Sequence, residues 1–435
     1  MRGDIANSPD PNEEDEGPMT SRSYFDRRGF LKVGGVAALG SLAAPAILRA
    51  QEGPIILGHL TPRTGFLGPM GEYAIMAVDM ATEEINAAGG INGRQVQFIK
   101  EDSVNPQTAS TKAERMIERD KVVGIIGEIS SASALTISQV AERGKRIFIN
   151  TGSNSDTLRG SDCKRHMFHV ESQNVMYVNA EGSHFLKEGL VDGKNWYVLT
   201  ADYAFGHDLL NAAKGFLARN NGNLIGSDLV PTDATDFSSL LLNIRQAKPD
   251  LVALNLAGTQ ITSFFKQYGE FGLEFPIGGF GFDTISAWAA GAENFHGTWP
   301  SVWHHLVETE KSQDFVKRFV AKYGKPPENQ AYSDYMAVMI MAQAIRDTQG
   351  TDAAEIIEYF EKPETKFDMM KTREGYFHPE THQLLQEIYA ITALPADQVK
   401  NEWDIFTTSG PLPGADAPLE TLIADAVGGT CSFAS

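Results

Sequence analysis

From residue 55 onward the chain switches repeatedly between short β-rich runs and longer stretches with apolar residues every three or four positions. Ile55–Leu60 reads as a strand. In Gly71–Ala88 the apolar positions Ile75, Val78, Ala81, Ile85 and Ala88 fall on one helical face, and Gly89-Gly90 supplies a C-terminal stop. Val96–Ile99 is the next strand and Ala109–Ile117 sits in the next helix. Val122–Ile126 is rich in β-branched residues, as suits a strand buried on both faces. A helix over Ala132–Arg143 and a strand over Ile147–Asn150 complete the series. Strand and helix alternate, which predicts a parallel, doubly wound sheet.

The alternation then restarts. Strands are predicted at Trp196–Thr200, Leu224–Leu229, Leu251–Leu256 and Pro276–Phe280, with helices at Asp208–Asn220, Phe237–Gln246 and Gln260–Phe271 between them. Two such halves are more than one sheet usually holds, so two lobes are the simpler account. Helices at Gln313–Tyr323, Ala331–Gln349 and Ala353–Phe360 and a strand at Gln386–Ile391 follow. They show no third alternation and are expected to return over both lobes.

Composition narrows the function. Lys+Arg 37 against Asp+Glu 56 gives a formal net charge of −19. That excess argues against nucleic acid or an anionic membrane as partner. The first fifty residues stand apart. A polar, acidic stretch with no apolar period precedes Asp26-Arg27-Arg28-Gly29-Phe30-Leu31-Lys32, and a mild apolar run from Val33 to Leu48 follows, interrupted by Pro45. The run falls short of the ~20 apolar residues a spanning helix needs. Twin arginines before it, and Leu48-Arg49-Ala50 at its end, resemble a twin-arginine export signal. The twin-arginine translocon and a periplasmic destination are therefore expected.

No Walker A string, His-Glu-x-x-His or Gly-x-Ser-x-Gly occurs, so no cofactor, metal or catalytic nucleophile is expected. His166 with His169, and His304 with His305, lack the neighbours of a metal site. Polar residues gather instead where strands end. Glu128–Ser133 follows one buried strand and opens a helix, and Thr151-Gly152-Ser153-Asn154-Ser155 follows the next. Ligands of open α/β sheets bind at the carboxyl ends of strands. Hydroxyls and helix N-terminal N–H groups suit a carboxylate, although Ser and Asp also serve as ordinary N-caps.

Gly89-Gly90-Ile91-Asn92-Gly93-Arg94, Gly124–Gly127 with Ser130-Ser131, Asn150–Ser155, Ala201-Asp202-Tyr203-Ala204-Phe205-Gly206 and Asp236-Phe237-Ser238 together resemble the leucine/isoleucine/valine-binding proteins. These are the solute-binding subunits of ABC importers. The resemblance covers about residues 53–410 and implies an α/β fold of two doubly wound parallel-sheet lobes joined by a hinge, the type I periplasmic binding protein. It implies a first lobe from 51–170 and about 304–372, a second from 171–303 and about 373–410, and a tail over 411–435. The implied partners are a small carboxylate or amino acid and an inner-membrane ABC permease, and the protein is not an enzyme. Position by position, Ser131 and Asn154 are implied on the ligand carboxylate, with Gly152 offering backbone groups and Ser153 among the ligand-binding residues beside them. Phe205 and Met70 stand where the leucine-type binders carry a ligand-facing Tyr and Trp. Thr259 lies near another aromatic position. Asp283 lies near the acid that pairs with the α-ammonium, or else caps the helix that follows it. Ligands other than leucine, including aromatic and aliphatic acids, and a role as an extracytoplasmic sensor stay open.

Cys163 and Cys431 are the only cysteines in the sequence. Export would carry both to an oxidising compartment. Cys163 lies in a polar loop and Cys431 near the chain end, so a disulfide between them is expected.

Overall fold

The computed structural model describes residues 53–424 and 430–433. The expected export signal lies outside the described residues. Eight elements open the first lobe: β1 (Ile55–Thr61), α1 (Gly68–Ala87), β2 (Val96–Asp102), α2 (Pro106–Glu118), β3 (Gly124–Gly127), α3 (Ser131–Gly144), β4 (Ile147–Asn150) and β5 (Met167–His169). The strands form a wholly parallel sheet in the order β2-β1-β3-β4-β5. β3 is buried along its whole length, as its β-branched run requires.

The chain then builds a second lobe from α4 (Asn174–Lys187), β6 (Asn195–Ala201), α5 (Ala204–Arg219), β7 (Asn223–Val230), α6 (Ser238–Ala247), β8 (Leu251–Asn255), α7 (Thr259–Glu270), β9 (Ile277–Gly279), α8 (Thr284–Ala290) and β10 (Thr298–Ser301). It returns through α9 (Glu310–Tyr323), α10 (Asn329–Thr348) and α11 (Ala353–Glu361) to the first lobe, where α10 packs along α1. The two-residue strands β11 (Tyr376–Phe377) and β12 (Leu384–Leu385) follow, then β13 (Ile388–Ala393) and β14 (Phe406–Leu412). The second sheet runs β14-β13-β10-β9-β8-β6-β7, parallel from β10 to β7 and antiparallel at β13 and β14. The purely parallel pattern thus gives way at one edge.

Among the described residues the chain crosses between lobes four times: between β5 and α4, between β10 and α9, at Gln386–Glu387 between β12 and β13, and after β14, where the tail returns to the first lobe. The stretch from 373 does not pass directly into the second lobe. Gln383 bridges His169 beside β5 and keeps the chain with the first sheet as far as Leu385. β14 likewise runs two residues into the expected tail. Each sheet has apolar helices on both faces, with Trp303 and Tyr332 stacked on one side of the first and Trp196 fully buried on one side of the second. Side chains of this size contribute about 1.5–3 kcal/mol each on burial. The tail is tied back by a Cys163–Cys431 disulfide, and the Phe433 ring stacks on His382 with centroids 4.3 Å apart.

Candidate functional site

The carboxyl ends of the two sheets face one another across a cleft, and the lobes touch at its rim. The Thr259 N–H donates to the Phe66 carbonyl at 3.1 Å. Phe66 meets Tyr203 edge-on, with ring centroids 5.7 Å apart. Gly258 has φ +55°, and a Cβ there would fall 2.1 Å from the Phe66 oxygen, so this approach requires glycine. Thr284 donates through its N–H and its hydroxyl to Asn329 Oδ1, at 3.2 and 3.0 Å. On the far side the Thr157 N–H donates to Asp208 at 3.0 Å.

These contacts border a narrow cavity whose space free of atoms, mouth and open solvent included, is about 470 Å³. Leu67, Met70 and Ile129 form its apolar wall in the first lobe, and Tyr203, Phe205, Phe280 and Phe282 its aromatic wall in the second. Gly152, Asn154, Glu171, Asp283, Asn329 and Gln330 supply polar groups. No Lys, Arg or His is among the lining residues. A larger depression, about 1340 Å³ of empty space, lies at the amino ends of β8, β9 and β10, away from the cleft.

Asp283 serves two ends at once. Its Oδ1 accepts from the Ser286 N–H at 2.9 Å and caps α8, while Oδ2 accepts from the Gly258 N–H at 2.8 Å. Burial raises its carboxyl above the ordinary range, against these hydrogen bonds. Glu171 is raised in the same way, chiefly by burial. Its Oε1 accepts from the Ser172 N–H at 2.8 Å, from Asn154 Nδ2 at 3.1 Å and from the Tyr177 hydroxyl. Behind the wall, burial pushes Glu128 up to about 7 and Glu328 up to about 8.

Five of the expected positions, Met70, Gly152, Asn154, Phe205 and Asp283, come together on the cavity. Asn154 gives Nδ2 to Glu171 and to the Ser172 carbonyl, which leaves Oδ1 as its free group. Three positions stand off the lining. Ser131 is fully buried, and its hydroxyl oxygen accepts from the Ser155 N–H at 3.4 Å. The Ser153 hydroxyl donates to the Glu128 carbonyl at 2.9 Å. The Thr259 side chain is exposed at the rim. Sequence reasoning missed Asn329 and Gln330, where only the polar string before the apolar run of α10 hinted at a role. Among the described residues no cluster of His, Cys, Asp and Glu could hold a metal, and no helix is long and apolar enough to cross a membrane.

Known proteins share this fold. A Leu/Ile/Val-binding protein homolog 7 of Brucella abortus is 26% identical over 343 residues, 74% of this chain and 83% of its own. A periplasmic binding protein from Burkholderia mallei superposes with a TM-score of 0.79 at 25% identity, covering 87% of this chain and 99% of that one. An ABC transporter solute binding protein from R. palustris, solved in complex with benzoate, gives a TM-score of 0.72 at 22% identity, covering 82% and 96%. The family described as periplasmic binding protein matches residues 54–398, and with two α/β lobes closing on one cavity the chain belongs to that family.

Proposed function

We propose that this protein is the extracytoplasmic solute-binding subunit of an ABC importer, exported through its Arg27-Arg28 signal, and that it closes its lobes over a small amino acid for delivery to a permease. One observation carries the reading. The cavity offers two carboxylates, Asp283 and Glu171, among apolar and aromatic walls, with no basic side chain lining it. A plain carboxylic acid would meet like charge there, whereas the ammonium of an amino acid meets a partner. The ligand carboxylate then falls to neutral donors, the Asn329 amide and the Tyr203 hydroxyl. Met70 and Phe205 pack its side chain, Gly152 and Asn154 line the first-lobe side, and Ser131, Ser153 and Thr259 hold the loops around it.

The four-ring wall of Tyr203, Phe205, Phe280 and Phe282 favours a second reading, an aromatic acid, like the benzoate of the R. palustris protein. A thermal-shift screen of the mature chain against amino acids, aromatic acids and aliphatic carboxylates separates the two. Stabilisation by one or more amino acids is expected. Stabilisation by benzoate-like or aliphatic acids alone would overturn the amino-acid reading.

A further inference from the structure

We propose that Gln330 is a specificity-determining residue of the cleft, which presents its carbonyl oxygen to the ligand because buried Asp334 and His59 hold its amide in one orientation. The proposal rests on the reading of the cleft as a solute site and names the ligand group that site demands.

Gln330 lies in the first turn of α10, is 1% exposed and lines the cavity. Its Nε2 stands 3.1 Å from the Thr151 carbonyl oxygen and 2.6 Å from Asp334 Oδ2. A backbone carbonyl only accepts hydrogen bonds, and so does an ionised carboxylate, so the atom between them is the amide nitrogen. Asp334 is one turn further along α10 and fully buried. Its Oδ1 is 3.0 Å from Nε2 of His59, itself fully buried on β1. With its N–H on Nε2 the histidine donates to Asp334, which then accepts on both oxygens.

With its nitrogen spent, Gln330 has Oε1 left. That oxygen lies against Gly152, where a Cβ would fall 2.5 Å from it. No hydrogen bond to Oε1 comes from the described residues. Gln330 lines the cavity, and a ligand that covers this oxygen without a hydrogen bond leaves a buried acceptor unpaired, which is costly, so one that brings an N–H to this point is favoured. One that brings a carboxylate oxygen there is repelled. Turning the amide over would set its oxygen against the Thr151 carbonyl and Asp334, with only the Thr151 hydroxyl, 3.2 Å from the nitrogen's place, able to donate to it.

The test compares matched pairs with and without the amine: L-leucine against 4-methylpentanoate, and L-phenylalanine against 3-phenylpropanoate. Affinities are measured by calorimetry for the mature wild type, Gln330→Met and Asp334→Asn. In wild type the amine-bearing member of a pair binds more tightly. Gln330→Met should lower that preference about tenfold or more while the amine-free member binds as well or better. Asp334→Asn, which can donate to Gln330 and release its amide, should shift the preference the same way. Should Asp334→Asn not fold, Gln330→Met decides. A preference unchanged in Gln330→Met, or an equal loss for both members, overturns the proposal, because purely structural damage weakens both alike. A wild type that binds the amine-free acids as well as the amino acids overturns it too, yet leaves a carboxylate site standing. Binding of none of the four by wild type overturns the reading of the cleft, and the role of Gln330 with it.

Discussion

Asp283 Oδ2 accepts a hydrogen bond from the Gly258 N–H at 2.8 Å, so one carboxylate ties the cap of α8 to the turn that presses on Phe66. Capping a helix and facing a ligand are thus compatible roles for the same side chain. Asp283→Asn tells them apart. Asn can cap α8 through its oxygen but turns its NH2 toward the Gly258 N–H, so stability should fall by about 1–3 kcal/mol. Losing the carboxylate should weaken amino-acid binding by about 1.5–3 kcal/mol, tenfold or more in Kd. Calorimetry on a folded variant with unchanged affinity would remove Asp283 from the ligand site.

Gly152→Ala tests how tightly the first-lobe wall is built. The added methyl would lie 2.5 Å from Gln330 Oε1 and 3.0 Å from the Ile129 backbone. One of them has to move, and both line the cavity. The variant should stay folded, with ligand affinity lowered about tenfold, roughly 1.4 kcal/mol. Wild-type affinity would mean the ligand does not depend on this wall.

Sequence alone revealed the strongly patterned parts of this fold. β3 and the apolar stripe of α1 carry periods that burial enforces. α4 was illegible because its inward face includes Asn174 and Glu181, both fully buried polar residues. β10 hides behind Pro300, β5 is three residues long, and β14 is mostly polar with Gly410 and Pro411 inside it. At the site, the strand-end strings pointed to the right loops. They could not say which hydroxyl faces the cavity and which, like that of Ser153, bonds its own neighbourhood. Gln330 and Asn329 arrive from a helix distant in sequence, and nothing local marks them as more than the start of α10.

Glu328 gives a pH signature. Both its oxygens accept from N–H groups of α10, and burial raises the group from 4.5 to about 8. A carboxyl raised on folding adds stability in full below its unfolded value and loses it as pH climbs through the folded one. Wild type should therefore lose stability relative to Glu328→Gln between about pH 4.5 and pH 8. Denaturant melts of both proteins across that interval check this, and a constant difference would contradict it.

The Cys163–Cys431 bond closes a loop of 268 residues. Unfolded, unreduced mature protein should show no free thiol, and two after reduction. Reduction should cost up to about 3–5 kcal/mol by loop-closure entropy, read as a lower melting temperature. Two thiols before reduction would exclude the bridge.

Closure of the two lobes over a ligand changes the dimensions of the molecule, which small-angle X-ray scattering of the mature chain reads. The protein is compared alone and saturated with the amino acid that gives the largest thermal shift. A larger radius of gyration is expected without ligand, and with ligand a contraction to the profile of the closed form, in which the Thr259 N–H meets the Phe66 carbonyl. Identical profiles with and without a ligand whose binding calorimetry has established would contradict it.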